Sequence, residues 1–66
     1  MSKTLQNELK ERFPSREALE AEAARRRHGA AFTLIDHVIQ LGKKDPRWKG
    51  PDAIAALQEI IDEYKI

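Results

Sequence analysis

The stretch "EAARRRHGAAF", which runs from Glu22 to Phe32, places three arginines and a histidine in direct succession. Guanidinium groups bind phosphate through paired hydrogen bonds, so Arg25, Arg26 and Arg27 are candidate phosphate-binding residues. Consecutive residues of an α-helix point about 100° apart, so the three arginines cannot share one face. The other interpretation is a solvated collar of charge or a set of ion pairs between subunits, and charge runs are most often solvated.

A second basic stretch, "KKDPRWK", lies in a loop that we predict between two helices. Cations can contact phosphates there while an aromatic ring stacks on a base, which is how many proteins hold single-stranded nucleic acid. The nucleic-acid or phosphate interpretation therefore uses Arg25–Arg27 together with Lys43, Lys44, Arg47, Trp48 and Lys49. In the alternative interpretation Trp48 covers the open end of a helical bundle, and the cations stay in water.

The residue patterns needed for metal binding or catalysis are weak. His28 and His37 are nine residues apart, which places them on opposite sides of one helix, so a zinc site would need two chains. The sequence has no cysteine and no glycine-rich loop, and the adjacent carboxylates Asp62 and Glu63 diverge on a helix. We therefore expect no catalytic residue, no metal, no cofactor and no enzymatic activity. His37 beside Asp36 could titrate near neutral pH, although a surface histidine is the simpler interpretation.

The length of 66 residues allows one domain, and the net charge of +1 hides an asymmetry. Residues 25–50 carry seven cations and two aspartates, whereas residues 51–66 carry one lysine and four acids. No apolar run reaches the length of a signal peptide or a membrane span, so we expect a cytoplasmic protein outside the membrane.

A homodimer is the simplest additional source of stability for so small a core. A chain of this length buries about 60% of its unfolded surface, and without cysteine it cannot form a disulfide. A second copy could place Glu17, Glu20 and Glu22 beside the arginines of the first. The sequence therefore predicts self-association, without indicating the orientation of the two chains.

The apolar periodicity predicts three helices and no strand. The first helix covers about residues 4–13, is capped by Thr4 or Ser2 and ends before Pro14. The third covers about residues 51–65 and has Pro51 at its first position. Its expected core stripe consists of Ile54, Leu57, Ile61 and Tyr64, with Ala53 and Ile60 beside it.

The central region has two interpretations, which differ at Gly29. The run "RRRHG" followed by Thr33 and Asp36 is typical of one helix ending and another beginning, which would form a helix-turn-helix. The second helix of that motif, "TLIDHVIQL", has no lysine or arginine for DNA phosphates. A polar stripe that includes Thr33 and Gln40 keeps its phase across Gly29, which favours one long helix over residues 15–41, bent near Gly29 and stopped by Gly42.

The sequence thus predicts a single all-α domain with a short first helix, a long central helix and a third helix, completed by dimerisation. The predicted function is non-enzymatic: an interaction or regulatory protein that binds a partner protein by helix-in-groove recognition. The candidate contact residues are Phe32, Ile39 and Ile60, which lie off the main stripes, although a wider core would also explain them. Nucleic-acid or phosphate binding by the basic middle is the alternative, and a structural assembly role without a ligand is a third hypothesis.

Overall fold

A computed structural model describes residues 4–66 of the protein. In chain order its elements are α1 at Leu5–Arg12, α2 at Arg16–Arg26, α3 at Ala30–Lys44, a 3₁₀ turn at Pro46–Lys49 and α4 at Pro51–Tyr64. These residues include no β-strand, which confirms the all-α class. The predicted count of three helices is wrong, because the central region forms two.

The helix starts follow the sequence signals. Thr4 Oγ1 accepts a hydrogen bond from a backbone N–H three residues further on, and Ser15 Oγ does the same at the start of α2. Pro51 occupies the first position of α4, where its missing N–H has no cost. The alternative cap of α1, Ser2, lies outside the described residues. No helix within residues 4–66 combines the length and the apolar character needed to cross a bilayer.

The long central helix over residues 15–41 is a wrong prediction, because the chain turns at Arg27. This residue has φ 61° and ψ 40°, the left-handed conformation. The backbone N–H groups of Arg27 and His28 donate to the carbonyls of Ala24 and Ala23, at 3.3 and 3.0 Å. These two bonds form a Schellman motif, which satisfies the last carbonyls of a helix. Gly29 then caps the start of α3 in an extended conformation.

The turn also explains why the continuous polar stripe is misleading. Thr33, which the stripe places on the polar side, is completely buried. Ala24 and Ile35, which the same phase places on the core side, are exposed. Because α2 folds back and packs on α3, the buried face of α3 is set by its neighbours and not by a phase carried over from α2.

Arg27→Gly is expected to stabilise the protein by about 1 kcal/mol. The left-handed conformation costs a residue with a Cβ roughly 1–2 kcal/mol, and glycine avoids most of this cost. Glycine also makes the unfolded chain more flexible, which offsets part of the gain in stability. Urea unfolding followed by circular dichroism would measure the gain. Arg27→Ala is the control, because it removes the charge and keeps the Cβ. A Gly variant no more stable than the Ala variant would contradict the left-handed turn.

The core draws on every helix and on the 3₁₀ turn. Its buried apolar residues are Leu9, Phe13, Leu19, Ala23, Leu34, Val38, Trp48, Ala53, Ala56 and Ile60. α1 packs mainly on α4, α2 on α3, and the 3₁₀ turn on α3. The hydroxyl of Tyr64 donates to the backbone carbonyl of Phe13, which joins the end of α4 to the end of α1.

The predicted core stripe of α4 is rotated relative to the observed one. The buried side of the helix consists of Ala53, Ala56 and Ile60, whereas Ile54 is 57% exposed. Two of these three residues are alanines, and a stripe drawn through the larger apolar residues does not reveal that the alanines lie on the buried side. Ile60 is therefore a core residue, and Ile54 lies on the outside.

Gly42 does not end α3, which continues to Lys44. A Cβ built on Gly42 would lie 3.3 Å from the carbonyl oxygen of Trp48 and 3.4 Å from Cγ of Lys49. The glycine therefore serves a close approach of the 3₁₀ turn to α3 and not a helix stop. Trp48 itself is buried, as the interpretation of this residue as a cover over the bundle predicts.

Candidate protein-interaction site

The arginines at the end of α2 are held by acids of their own chain. Arg25 pairs with Glu22, and Arg26 pairs with Glu22 at 3.1 Å and with Asp36 at 2.9 Å. Arg27 lies in the turn that follows. The two paired guanidinium groups would have to give up these acids to bind phosphate, so the structure does not present the three arginines as one open site.

These ion pairs bear on the expected homodimer. Glu20 pairs with Arg16 at 2.9 Å on α2, and Glu22 holds two arginines, so both acids have partners within the chain. Arg25 and Arg26 therefore need no acids from a second copy. One reason for self-association is removed, and homodimerisation itself stays a prediction.

The residues of the basic loop differ in their exposure and in their ion pairing. Trp48 is 5% exposed, so in this structure its ring cannot stack on a base. Arg47 pairs with Asp45 at 2.7 Å and with Glu8 at 3.2 Å, and these bonds raise the pKa of its guanidinium group. Of the loop cations this leaves three exposed lysines, which are Lys43, Lys44 and Lys49.

The three candidate contact residues separate into two groups. Ile60 is 1% exposed and lies in the core, so its selection as a contact residue is wrong. Phe32 and Ile39 are 56% and 54% exposed. The ring of Phe32 packs on that of His28, with ring centroids 4.7 Å apart, which orients it on the outside of α3.

Phe32 and Ile39 belong to a larger exposed surface. Ile35 lies between them on α3, and Ile54 projects from α4; both are more than one third exposed. We call these four residues the apolar face. The spacing from Phe32 to Ile35 to Ile39 is i, i+3, i+7, which aligns the three side chains along α3. The predicted stripe of α4 places Ile54 in the core instead, because periodicity does not reveal which apolar side of a helix a neighbour covers.

A groove of about 410 Å³ runs between α3 and α4 beside the apolar face. Its apolar lining comes from Ile35, Val38, Ile39, Trp48, Ile54 and Leu57. Val38 and Trp48 are buried and form its base. Lys43 and Lys49 also line it, and no acidic residue does. Neither lysine forms an ion pair with another residue in 4–66, so the border of the groove is electropositive.

His37 is half-buried on the other side of α3. Its ring meets Phe13 edge to face, with centroids 5.0 Å apart and planes at 79°. Its Nε2 atom is buried and has no hydrogen-bond partner among the described residues. Burial lowers the pKa of His37, Arg12 and Arg26 lower it further, and Asp36 opposes the shift. His37 is therefore a neutral packing residue in the fold.

The protein is expected to lose stability as the pH falls below about 6.5. The pKa of His37 in the fold lies below its ordinary value of 6.5, so the unfolded chain takes up the proton first. The contribution is complete above that pH and is lost as the pH falls towards the folded pKa. Unfolding free energies across this range would show a steeper loss for the wild type than for His37→Leu. Equal slopes for the two proteins would contradict this prediction.

The described residues do not form a metal site. No group of three or more histidine, aspartate or glutamate side chains in this part of the chain is placed to hold an ion. The two histidine rings instead lie against aromatic rings, His28 on Phe32 and His37 on Phe13. The exposed apolar side chains that a binding function could use lie on the apolar face and beside the electropositive groove.

The chain matches no protein-family model, no curated protein and no solved structure. What the fold and the site define is therefore a class: a small all-α protein with an exposed apolar face beside an electropositive groove.

Proposed function

We propose that this chain is a small, non-enzymatic interaction protein that binds a partner protein through the apolar face. The supporting observation is that Phe32, Ile35, Ile39 and Ile54 are exposed, and that Ile35, Ile39 and Ile54 line one groove. Single exposed apolar residues are ordinary, whereas a contiguous patch beside a groove is typical of a binding surface. Covering it would contribute about 25 cal/mol for each Å² of apolar area removed from water.

The apolar face is also rigid enough to bind without a large loss of entropy. Ile35 and Ile39 are interior residues of α3, and their β-branched side chains have few rotamers to lose. Leu34 and Val38 of the same helix are buried, which holds α3 in place. A surface organised before binding keeps more of its contact energy as affinity.

The double variant Phe32→Ala/Ile39→Ala is expected to lose its partner. Tagged wild-type and variant proteins would be used to capture partners from the source cells, with quantification by mass spectrometry. Central apolar contacts often contribute more than 1 kcal/mol each, so the double variant should recover about tenfold less of a true partner. Both residues are more than half exposed, so the thermal unfolding of the variant should stay close to that of the wild type.

Gln40→Ala is the matched control, because it shortens an exposed side chain of the same helix outside the apolar face. It should recover the same proteins as the wild type. If the double variant also recovers them in full, the apolar face is not the binding surface and the proposal fails.

Nucleic-acid or phosphate binding is supported less well. Lys43, Lys44 and Lys49 are exposed, whereas Trp48 is buried and Arg47 is paired. Titration of DNA and RNA at two salt concentrations tests this alternative, since phosphate contacts predict affinity that falls steeply with salt. Homodimerisation is tested separately by sedimentation velocity. A dimer that buries the apolar face would compete with the partner for it.

A further inference from the structure

We propose that the groove between α3 and α4 binds one acidic amphipathic helix of the partner protein. This inference rests on the proposed function and adds the chemistry of the partner. Three properties of the groove lead to it: the charge of its border, the effect of that charge on self-association, and the length of its apolar stripe.

The two lysines at the border of the groove favour a partner that carries negative charge. Lys43 ends the stripe on α3, Lys49 ends the 3₁₀ turn, and both line the groove. With no acid among the lining residues, a basic partner would be repelled and a neutral one would gain nothing from these ammonium groups. Carboxylates beside the partner's apolar residues would pair with them, which discriminates acidic from basic helices of equal hydrophobicity.

The same charge disfavours a second copy in the groove. In a two-fold dimer each surface patch meets its own counterpart, so Lys43 and Lys49 of both copies would enter one interface. The lining residues include no acid that could offset four ammonium groups. A partner of opposite charge avoids this repulsion.

The length of the stripe fits a short helix. From Phe32 to Lys43 the surface of α3 extends over roughly 16 Å at about 1.5 Å per residue. A partner helix of about three turns, roughly 11 residues, spans this distance. Its apolar residues at i, i+3 or i+4, and i+7 would lie between Ile39 and Ile54, and its acidic residues would reach the two lysines.

The test is a displayed peptide library selected against the protein. Each member has about three helical turns, with Leu, Ile, Phe or Met along one stripe and Glu, Lys or Gln at every flanking position. Binders to Ile39→Asp are removed by counter-selection, which leaves sequences that need the apolar face. We expect the remaining sequences to carry glutamate beside the stripe and a net negative charge.

Affinity measurements on the best binder then locate the contact. By fluorescence anisotropy, Lys43→Gln/Lys49→Gln should weaken binding about tenfold, because two ion pairs at the border are lost. Lys44→Gln/Lys65→Gln removes the same charge elsewhere, since Lys44 borders a separate depression with Glu8 and Lys65 follows α4. This control should change the affinity less than about twofold.

Several results would overturn the inference. Face-dependent binders without acidic bias would remove the charge argument and leave the proposed function standing. Failure to select any such binder would reject the inference that a partner helix binds in the groove. The capture experiment with Phe32→Ala/Ile39→Ala would then test the proposed function separately. A dimer that Ile39→Asp dissociates would make a second copy the occupant. Binding of phosphatidylserine vesicles or of duplex DNA that depends on both Ile39 and Lys49, with no peptide selected, would also reject it.

Discussion

Trp48→Ala is expected to remove most of the stability of this protein. The tryptophan is 5% exposed, belongs to the core cluster and packs where Gly42 allows the 3₁₀ turn to approach α3. Truncating a buried tryptophan typically costs 3–5 kcal/mol, on the order of the whole stability of a domain of this size, about 3–10 kcal/mol. Circular dichroism during urea unfolding would show a variant that is largely unfolded or nearly so before denaturant is added.

Trp48→Phe serves as the control for this experiment. It keeps an apolar ring in the same place, so it should lose clearly less stability than the alanine variant. The native tryptophan emission should also be blue-shifted, because the indole is shielded from water. An alanine variant as stable as the wild type would mean that the ring does not cover the core. Trp48 would then be a candidate for stacking on a nucleic-acid base.

Ile60→Ala and Ile54→Ala are expected to differ by several kilocalories, although they make the same chemical change in the same helix. Ile60 is 1% exposed and Ile54 is 57% exposed. A cavity at a buried isoleucine costs about 2–5 kcal/mol. At the exposed position little buried area is lost, and alanine is the better helix former by a few tenths of a kcal/mol. Both free energies of unfolding can be read from urea titrations.

This pair also tests the orientation of α4. If Ile54→Ala were the more damaging change, the helix would be turned so that Ile54 faced the core, as the sequence stripe implied. The apolar face would then lose one of its four residues. Similar losses at both positions would place both side chains in the core, and the groove would be narrower than the structure shows.

Several helix boundaries could be predicted from the sequence because their signals are local. Pro14, Ser15 and Pro51 fix helix boundaries through the geometry and hydrogen bonding of single residues. Leu5, Leu9 and Phe13 recur every four residues, and this spacing marks the buried side of α1, since Leu9 and Phe13 are both in the core. Such features need no knowledge of the neighbouring helices.

The central turn could not be placed in the same way. The Schellman motif puts a left-handed residue at Arg27, whereas the glycine that usually marks this position comes two residues later and caps α3. Gly42 is misleading for the opposite reason, because it is required by the close approach of Trp48 and not by a helix end. At Arg27 a residue other than glycine adopts the conformation that glycine usually takes, whereas at Gly42 a tertiary contact explains the glycine.

The candidate site was half predictable for a related reason. Phe32 and Ile39 deviate from the core stripe of α3 by angle, so their exposure could be inferred from one helix. The exposure of Ile35 and Ile54 depends on which neighbour covers each helix, and a single helix does not reveal that. The basic border of the groove likewise exists because the fold brings Lys43 and Lys49 to the same opening.

The bond from Tyr64 to Phe13 has a consequence for the order of folding. It joins residues 51 positions apart, whereas α2, α3 and the 3₁₀ turn contact near neighbours in the chain. Contacts between near neighbours close small loops and form early, while the entropy cost of loop closure grows with the separation along the chain. The docking of α1 on α4 should therefore follow the transition state, so weakening it would accelerate unfolding and leave the folding rate almost unchanged. In the native protein this joint should be the first to open, and the amide hydrogens of α1 should exchange before those of α3.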